Sequence, residues 1–376
     1  MERVELDKFV MSRRSFMKLV GMGGLAAFTL EVLGKHLTGG ATLPKFAISQ
    51  EISGIIPNCP FLPYEKVEVQ ERMINNLRLW EASCARVFLD YKFEEKLGEY
   101  KGNLLDQIAA TSRLIPLTVD LFDAYHALHS STPSSPYLVL KNGRDIYEKQ
   151  YAIFTDTEVR KALLRRVRVA VTELKDEQGI IAWGLANELN LRKPQHMLLA
   201  KAQGRTLREV HTDLFEEMIE EILSIDHKRP ITIGVDDPNL IDEKRLDKFK
   251  HHVVNTIHVY PGSLHDRIIS TYQNGESERI LPLICQEVGF SRSMFNTGIS
   301  VPTEPEYDEI TSVFFEQTFS KLFPYIFAFG PWRISAQGDS HSDGFEIEPI
   351  RHPRSISVIR DIKSEILTNL VASRVS

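Results

Sequence analysis

From residue 52 onward, short apolar runs alternate with segments whose apolar positions recur at the spacing of a helix. Runs of four to eight apolar residues that end in polar clusters are typical of buried strands, and apolar positions three and four apart predict amphipathic helices. The pattern predicts eight strands, at 52–56, 85–89, 115–120, 180–187, 230–235, 253–259, 280–286 and 325–332. Helices are predicted between them, the clearest at 67–84, 105–114, 157–174, 207–223 and 355–367.

The alternation of strands and helices determines the expected fold class. It predicts a parallel sheet, and eight repeats predict closure into a (β/α)8 TIM barrel of the α/β class. Such a barrel needs roughly 250 residues, and the 376-residue chain holds it in one domain, which we place at 46–376. An open doubly wound sheet is the alternative. It is disfavoured because neither a Gly-x-Gly-x-x-Gly turn after the first strand nor a Gly-x-x-x-x-Gly-Lys phosphate loop occurs.

Residues 1–45 have the pattern of an export signal. Arg13 and Arg14, within SRRSFMK at 12–18, precede a mostly apolar stretch at 19–34. Paired arginines before a moderately apolar segment are typical of substrates of the twin-arginine export machinery. Glycines and Glu31 interrupt the stretch, so it is a poor membrane span of about 20 residues.

We therefore expect an exported protein, periplasmic or extracellular, with no stable membrane span in its mature form. An uncleaved signal would instead leave the protein tethered to a membrane. A cytosolic protein with a basic, apolar start is the other interpretation, and neither choice alters the chemistry expected of the barrel.

The charge of the chain limits the class of partner that we expect, and its cysteines indicate the state of its thiols. The formal charge is -6, and no run of lysine and arginine interleaved with aromatic residues occurs beyond the N-terminus. Nucleic acid is therefore not an expected partner. The three cysteines, Cys59, Cys84 and Cys285, cannot all pair, and we expect buried free thiols.

Polar side chains gather where the predicted strands end. The C-terminal ends of the strands form the face on which barrel enzymes build their sites. Glu188 and Glu287 stand out, because each lies where a long apolar run ends. Burying a carboxylate there costs free energy, so its presence indicates a function. The full set comprises Asp90, Asp120, Asp123, Asn187, Glu188, Asp236, Asp237, His258, Tyr260, Glu287 and Trp332. Paired carboxylates at a barrel mouth favour cleavage of glycosidic bonds.

The same residues carry a family resemblance. WGLANE at 183–188 and ICQEVG at 284–289 resemble the acid/base and nucleophile motifs of the clan A retaining glycoside hydrolases, particularly family 5 of the cellulase and mannanase type. Arg86 on the second strand, IHVYP at 257–261 on the sixth and Trp332 on the eighth are similar to further positions of the clan.

There are also departures from the pattern of the clan. The third strand has Asp-Leu-Phe at 120–122 where cellulase-type members have Asp-Leu-His, and the first strand lacks the usual Gly-x-Asn.

The resemblance implies catalytic roles for the two glutamates. Glu287 would be the nucleophile, kept ionised by the positive charge of Arg86 and by a hydrogen bond from the Tyr260 hydroxyl. Glu188 would hold the proton, give it to the leaving oxygen and then activate water. Negative Glu287 and partial burial should raise the pKa of Glu188. Arg86 has an alternative interpretation as the salt-bridge partner of Asp90 or Asp120.

It also implies a substrate-binding shell. Asn187 would hydrogen-bond the 2-hydroxyl of the bound sugar, and His258 would support that shell. Trp332 would offer a flat apolar face to a pyranose ring, although a tryptophan on a strand is otherwise a core residue. The expected substrate is a β-linked glucan, mannan or oligosaccharide, with endo and exo action both open.

We expect neither a cofactor nor a metal. His-Glu-x-x-His and Cys-x-x-Cys are absent, and the polar stretch at 339–344 is interpreted as a loop after the last strand. Two other functions remain open. One is a carbohydrate-binding barrel without activity, and the other is a barrel enzyme that uses a glutamate as a base on a small metabolite.

Overall fold

The computed structural model describes residues 52–89, 103–122, 153–154, 157–188, 194–261, 281–292, 302–323, 325–336 and 344–375. Its eight strands are β1 Gly54–Ile55, β2 Ala85–Phe88, β3 Leu117–Asp120, β4 Ile180–Gly184, β5 Ile231–Thr232, β6 Val253–Val259, β7 Leu283–Val288 and β8 Ile326–Pro331. The predicted export signal lies outside the described residues, as do Asp90 and Asp123. Each predicted strand has a counterpart, so the expected strand count is confirmed.

All eight strands are parallel and hydrogen-bonded in the order β1-β8-β7-β6-β5-β4-β3-β2. The two ends of this sheet meet through backbone bonds between the segment after β1 and β2. The Arg86 amide donates to the Pro57 carbonyl at 2.9 Å, and the Cys59 amide donates to the Arg86 carbonyl at 2.8 Å. The sheet thus closes into the predicted (β/α)8 barrel.

Eight helices surround the barrel in the part of the chain that the structure describes. They are α1 Val67–Leu79, α2 Asn103–Ser112, α3 Thr157–Leu174, α4 Pro194–Ala202, α5 Leu207–Leu223, α6 Glu243–Leu246, α7 Glu304–Leu322 and α8 Pro353–Val375. α5 begins with a capping box formed by Thr206 and Glu209, which satisfies amide groups that have no partner inside the helix. The bounds of α3 and α5 agree with the predicted helices.

Two predicted helices differ clearly in length from the observed ones. The helix predicted at 67–84 ends at Leu79, because Glu81 adopts a φ of 54° and the chain turns there into β2. A left-handed backbone cannot continue a right-handed helix. The closing helix, predicted at 355–367, runs from Pro353 to Val375. Polar Thr368 and Asn369 interrupt the apolar pattern before its last two turns, so the periodicity did not reveal them.

Most buried apolar side chains of the barrel and its helices form one large cluster, and a second, smaller cluster contains residues of β4, β6, β7 and β8. Trp80 after α1 and Trp183 on β4 are fully buried. The Trp183 indole nitrogen donates to Asp226 at 3.0 Å, which satisfies its polar atom inside the protein. Cys59, Cys84 and Cys285 are buried free thiols, as predicted. Among the described residues, no helix is both long and apolar enough to cross a membrane.

Candidate active site

The residues singled out from the sequence converge at the C-terminal mouth of the barrel. Arg86 comes from β2, Glu188 follows β4, His258 comes from β6 and Glu287 from β7. Parallel strands all present their carboxyl ends at one face, so side chains far apart in sequence meet there.

Arg86 is fully buried and lies at the centre of the network. Its Nη1 atom donates to Glu287 Oε1 and, at 2.8 Å, to Asn58 Oδ1. Its Nε donates to Asp120 Oδ2 at 3.0 Å, and its Nη2 donates to Asn187 Oδ1 at 3.0 Å. Arg86 therefore makes the contacts that both interpretations require, since it pairs with Asp120 and contacts Glu287. A buried guanidinium needs this many partners to offset the loss of water.

Glu287 receives a donor on each carboxylate oxygen. Arg86 contacts Oε1, and the Tyr260 hydroxyl donates to Oε2 at 2.5 Å. Both contacts expected from the sequence are present. Because Glu287 is 1 % exposed, these donors replace the water that would otherwise stabilise its negative charge.

Glu188 is held by an unusual backbone. Its φ is 48°, a left-handed conformation that costs a residue with a Cβ about 1–2 kcal/mol. The Glu188 amide donates to the Gly234 carbonyl at 2.9 Å, and the Asn187 amide donates to the Phe122 carbonyl at 2.8 Å. Strain of this kind persists where surrounding bonds enforce it, and it clusters at functional sites. The side chain retains partial exposure, 18 %, toward the barrel mouth.

His258 lies between the two carboxylates. Its Nδ1 atom is 2.9 Å from Glu188 Oε1 and 3.2 Å from Glu287 Oε2. Its Nε2 atom is 3.2 Å from Gln286 Oε1. We expected His258 to support the substrate-binding shell, and its described contacts join Glu188 to Gln286. One oxygen of each glutamate and His258 Nδ1 all lie within 4.8 Å of one another.

A bulge between β6 and β7 makes this arrangement possible. Ile257 pairs with Cys285 and His258 pairs with Glu287, so Gln286 is an extra residue in the register. Bulges re-aim neighbouring side chains, and here the adjacent Gln286 and Glu287 both reach His258. The Gln286 carbonyl accepts from Asn58 Nδ2 at 2.9 Å.

The electrostatic environment raises the pKa values of three groups in the site, Glu188, His258 and Tyr260. Burial, and then the negative charge of Glu287, raises the pKa of Glu188, as predicted. Burial opposes the charged form of His258, but Glu287 and the hydrogen bond to Glu188 raise its pKa overall. Burial, reinforced by Glu287, raises the pKa of the Tyr260 hydroxyl. The hydroxyl therefore stays a donor at neutral pH.

Asp120 shows the same competition between burial and charge. Burial raises its pKa to about 6, and the neighbouring Arg86 opposes that rise. Its Oδ2 atom accepts from Arg86, whereas its Oδ1 atom has no hydrogen-bond partner among the described residues.

Trp332 lies at the edge of the mouth, just after β8. Its ring stacks on Phe88 with centroids 6.1 Å apart and an interplanar angle of 30°. It is only partly buried, unlike Trp80 and Trp183 in the core. Partial exposure leaves aromatic surface that a sugar ring can cover.

Two residues of the network were missed from the sequence. Asn58 binds Arg86 and three backbone carbonyls, and it lies two residues beyond the predicted first strand. The strand-end criterion would therefore have found it. Gln286 is the last residue of the predicted seventh strand, so the same criterion would have found it, but only the bulge decides that its side chain points to His258.

The Glu188, His258 and Glu287 donors are of the types that hold divalent metals. However, both oxygens of Glu287 already accept from Arg86 and Tyr260, and a cation there would lie beside a guanidinium. The cluster fits two working carboxylates better than a metal site. Asp237 caps the short 3₁₀ helix Pro238–Leu240, and residues 339–343 of the predicted polar loop lie outside the described part of the chain.

Comparisons with known proteins place the fold. The sequence matches no protein-family model and no curated protein. Among solved structures, the chain is similar to the endo-β-1,4-mannanase of Thermotoga petrophila, with a TM-score of 0.62 and 13% identity over 84% of this chain and 77% of that one.

Two further solved structures are similar at the same level. For the endo-1,4-β-mannanase of Rhizomucor miehei, the TM-score is 0.57 with 15% identity over 84% and 95% of the two chains. For endo-glycoceramidase II of Rhodococcus sp., these values are 0.58, 13%, 84% and 80%. At such low identity the likeness shows the (β/α)8 fold alone.

Proposed function

We propose that this protein is a retaining glycoside hydrolase that cleaves β-glycosidic bonds through Glu287 as nucleophile and Glu188 as acid/base. The observation that carries the proposal is the spacing of the two glutamates, whose nearest oxygens lie within 4.8 Å. Retaining enzymes hold their carboxyl groups about 5–5.5 Å apart, whereas inverting enzymes leave about 6.5–9.5 Å for a water molecule.

In the first step, a Glu287 oxygen attacks the anomeric carbon. The bond from that carbon to the leaving oxygen breaks, and the leaving oxygen takes the proton of Glu188. Arg86 and Tyr260 each donate to one oxygen of Glu287, which holds the attacking carboxylate in place. The raised pKa of Glu188 suits a group that must carry a proton near neutral pH.

In the second step, water hydrolyses the glycosyl ester. Glu188 takes a proton from water, whose oxygen bonds to the anomeric carbon while the bond to Glu287 breaks. Once Glu287 is esterified it is no longer negative, so the pKa of Glu188 falls and the residue can act as a base. His258 lies 2.9 Å from Glu188 and holds its carboxyl group in place through both steps.

Two residues are proposed to bind the sugar. Asn187, oriented by the Arg86 contact to its Oδ1 atom, would donate to the 2-hydroxyl, an interaction that strengthens in the transition state. Trp332 would support the pyranose ring with its partly exposed face.

We propose a β-linked, neutral glucan, mannan or oligosaccharide as the substrate. Similarity to mannanases and to a glycoceramidase supports a β-linked glycan of either polymeric or lipid-linked form. With residues 1–45 as a twin-arginine signal, the enzyme would act outside the cytoplasm.

The test is hydrolysis of aryl β-glycosides, β-mannan, β-glucan and a glycosylceramide by the purified barrel domain. Glu287→Gln should abolish activity. The matched control is Glu217→Gln, which alters a helix carboxylate paired with Arg160 at 2.9 Å and should leave activity unchanged. Retention of anomeric configuration in the first product, followed by NMR, is expected for this mechanism; inversion would contradict it.

Azide distinguishes a lost nucleophile from a lost base. Glu287→Gly should be inactive, and azide should restore turnover of an aryl glycoside by occupying the vacated position, with a glycosyl azide of inverted configuration as product. Absence of activity on every glycan would favour the binding barrel, and activity on a non-glycosidic metabolite would favour a glutamate base.

A further inference from the structure

Gln286, on β7, connects the candidate acid/base to β5, the strand next to β4. It is 2 % exposed. Its Oε1 atom lies 3.2 Å from His258 Nε2, and its Nε2 atom donates to Thr232 Oγ1 at 3.2 Å. A continuous chain therefore runs from Thr232 on β5 through Gln286 and His258 to Glu188.

The side chain reaches this position because the strand is bulged at Gln286. Its carbonyl is held by Asn58 Nδ2 and closely approached by Gly330, where an added Cβ would lie 2.1 Å from that oxygen. Glycine at 330 is thus required for the bulge. Residues of β7, of β8 and of the segment after β1 therefore position the Gln286 side chain together.

The orientation of the amide constrains the protons on His258. A carbonyl oxygen accepts and cannot donate, so His258 Nε2 must carry a hydrogen when it faces Gln286 Oε1. In the neutral ring, Nδ1 is then an acceptor. It faces Glu188 Oε1 at 2.9 Å and Glu287 Oε2 at 3.2 Å. Because Glu287 Oε2 already accepts from the Tyr260 hydroxyl, the hydrogen bond that neutral His258 accepts comes from protonated Glu188.

We propose that Gln286 is a positioning residue that keeps the proton of neutral His258 on Nε2, and thereby holds the catalytic proton on Glu188. This inference rests on the proposed function, in which Glu188 is the general acid. The opposite tautomer would place a hydrogen on Nδ1, donate it to the Glu188 carboxylate and favour loss of the proton from Glu188.

Other charged groups act on the same pair from every neighbouring strand. Their effect on His258 and Glu188 is electrostatic, and it is unchanged by uncharged substitutions at position 286. These charged or titratable groups are Arg86, Asp120, Asp236, Tyr260 and Glu287.

The direct test is the tautomer of His258, read from the ring nitrogen shifts of the protein labelled at histidine. The resonance is assigned by its absence from His258→Asn. Wild type should show the Nε2–H tautomer when neutral, and Gln286→Met, which removes the acceptor, should shift it toward Nδ1–H. Gln286→Glu keeps an acceptor and should retain Nε2–H. Wild type with a neutral Nδ1–H ring would overturn the proposal.

Activity supplies the second test. In Gln286→Met the alkaline limb of kcat/KM should move to lower pH by about one unit, with little change in KM. Gln70→Met, which removes an amide donor to the Glu65 carbonyl on the outer surface, is the matched control and should leave the profile unchanged. An unmoved limb together with an unmoved tautomer would overturn the role of Gln286. Because the tautomer is read without substrate, failure of the proposed glycosidase function would be seen separately.

Discussion

At the scale of single residues, the site depends on charges that are buried and paired. Arg86 and Asp120 are fully buried, and Glu287 nearly so. Each would be costly alone, because removing one partner of a buried pair leaves an uncompensated charge. Together they hold Glu287, the proposed nucleophile, in a fixed position.

Replacing Arg86 tests this interdependence. Arg86→Met should lower the free energy of unfolding by about 3–5 kcal/mol, measured by urea denaturation, since Asp120 and Glu287 lose their shared cation. Arg168→Met, which removes an exposed pair with Glu221, should change it little. Adding Asp120→Asn to Arg86→Met should recover part of the loss. Equal losses in the two single variants would contradict the role of the buried network.

Replacing Glu188 tests the acid and the sign of its pH dependence. The acid must be protonated, so kcat/KM should fall as pH rises through the pKa of Glu188, and burial with Glu287 moves that limb above the pH of an ordinary glutamate. In Glu188→Gln the limb should disappear, and kcat/KM for a polysaccharide should fall by about 10²–10⁴. A glycoside with a very acidic leaving group should show normal formation of the glycosyl-enzyme. Full activity on the polymer would exclude Glu188 as the acid.

At the scale of elements, short strands and close contacts decide where side chains point. β3 and β4 approach so closely that a Cβ on Gly184 would lie 1.9 Å from Asp120 Oδ1. The bulge of β7 likewise depends on close backbone approach at Gly330. Glycines are thus part of the site without contacting substrate.

The two ends of β4 provide a matched pair of glycine substitutions. Gly184→Ala should lower both stability and kcat/KM, because Asp120 and hence Arg86 must move. Gly179→Ala meets the Ser112 carbonyl, also at 1.9 Å, but at the opposite end of the strand. It should lower stability to a similar degree and leave kcat/KM of the folded protein unchanged. Thermal unfolding and initial rates measure the two effects, and equal losses of kcat/KM would show that the Asp120 contact is not the cause.

At the scale of the whole molecule, barrel closure brings distant segments together. Asn58, Arg86 and Glu287 are in direct contact, although 201 positions separate Arg86 from Glu287. The contacts across the β1–β2 seam close the barrel and also place Asn58 on Arg86. The same contacts therefore close the barrel and assemble the site.

The proposed export signal at residues 1–45 concerns the whole chain and can be tested by mutation. Replacing Arg13 and Arg14 together by lysine should retain the protein in the cytoplasm of a host with a twin-arginine pathway, because that pathway recognises the paired arginines. Activity in the periplasmic fraction measures the outcome. Lys8→Arg is the control, since it keeps the charge outside the motif, and it should not alter export. Unchanged export of the double variant would contradict the signal assignment.

The sequence by itself determined the number and order of strands, the barrel and the position of both glutamates at strand ends. These follow from hydrophobic periodicity, which is local along the chain. Tertiary structure alone decided that His258 lies between Glu188 and Glu287, that Asn58 joins Arg86, and that Gln286 faces His258. Such contacts join residues far apart in sequence through strand register and a bulge. Neither leaves a signal in the local pattern, because one extra residue in a strand is enough to reverse the direction of a side chain.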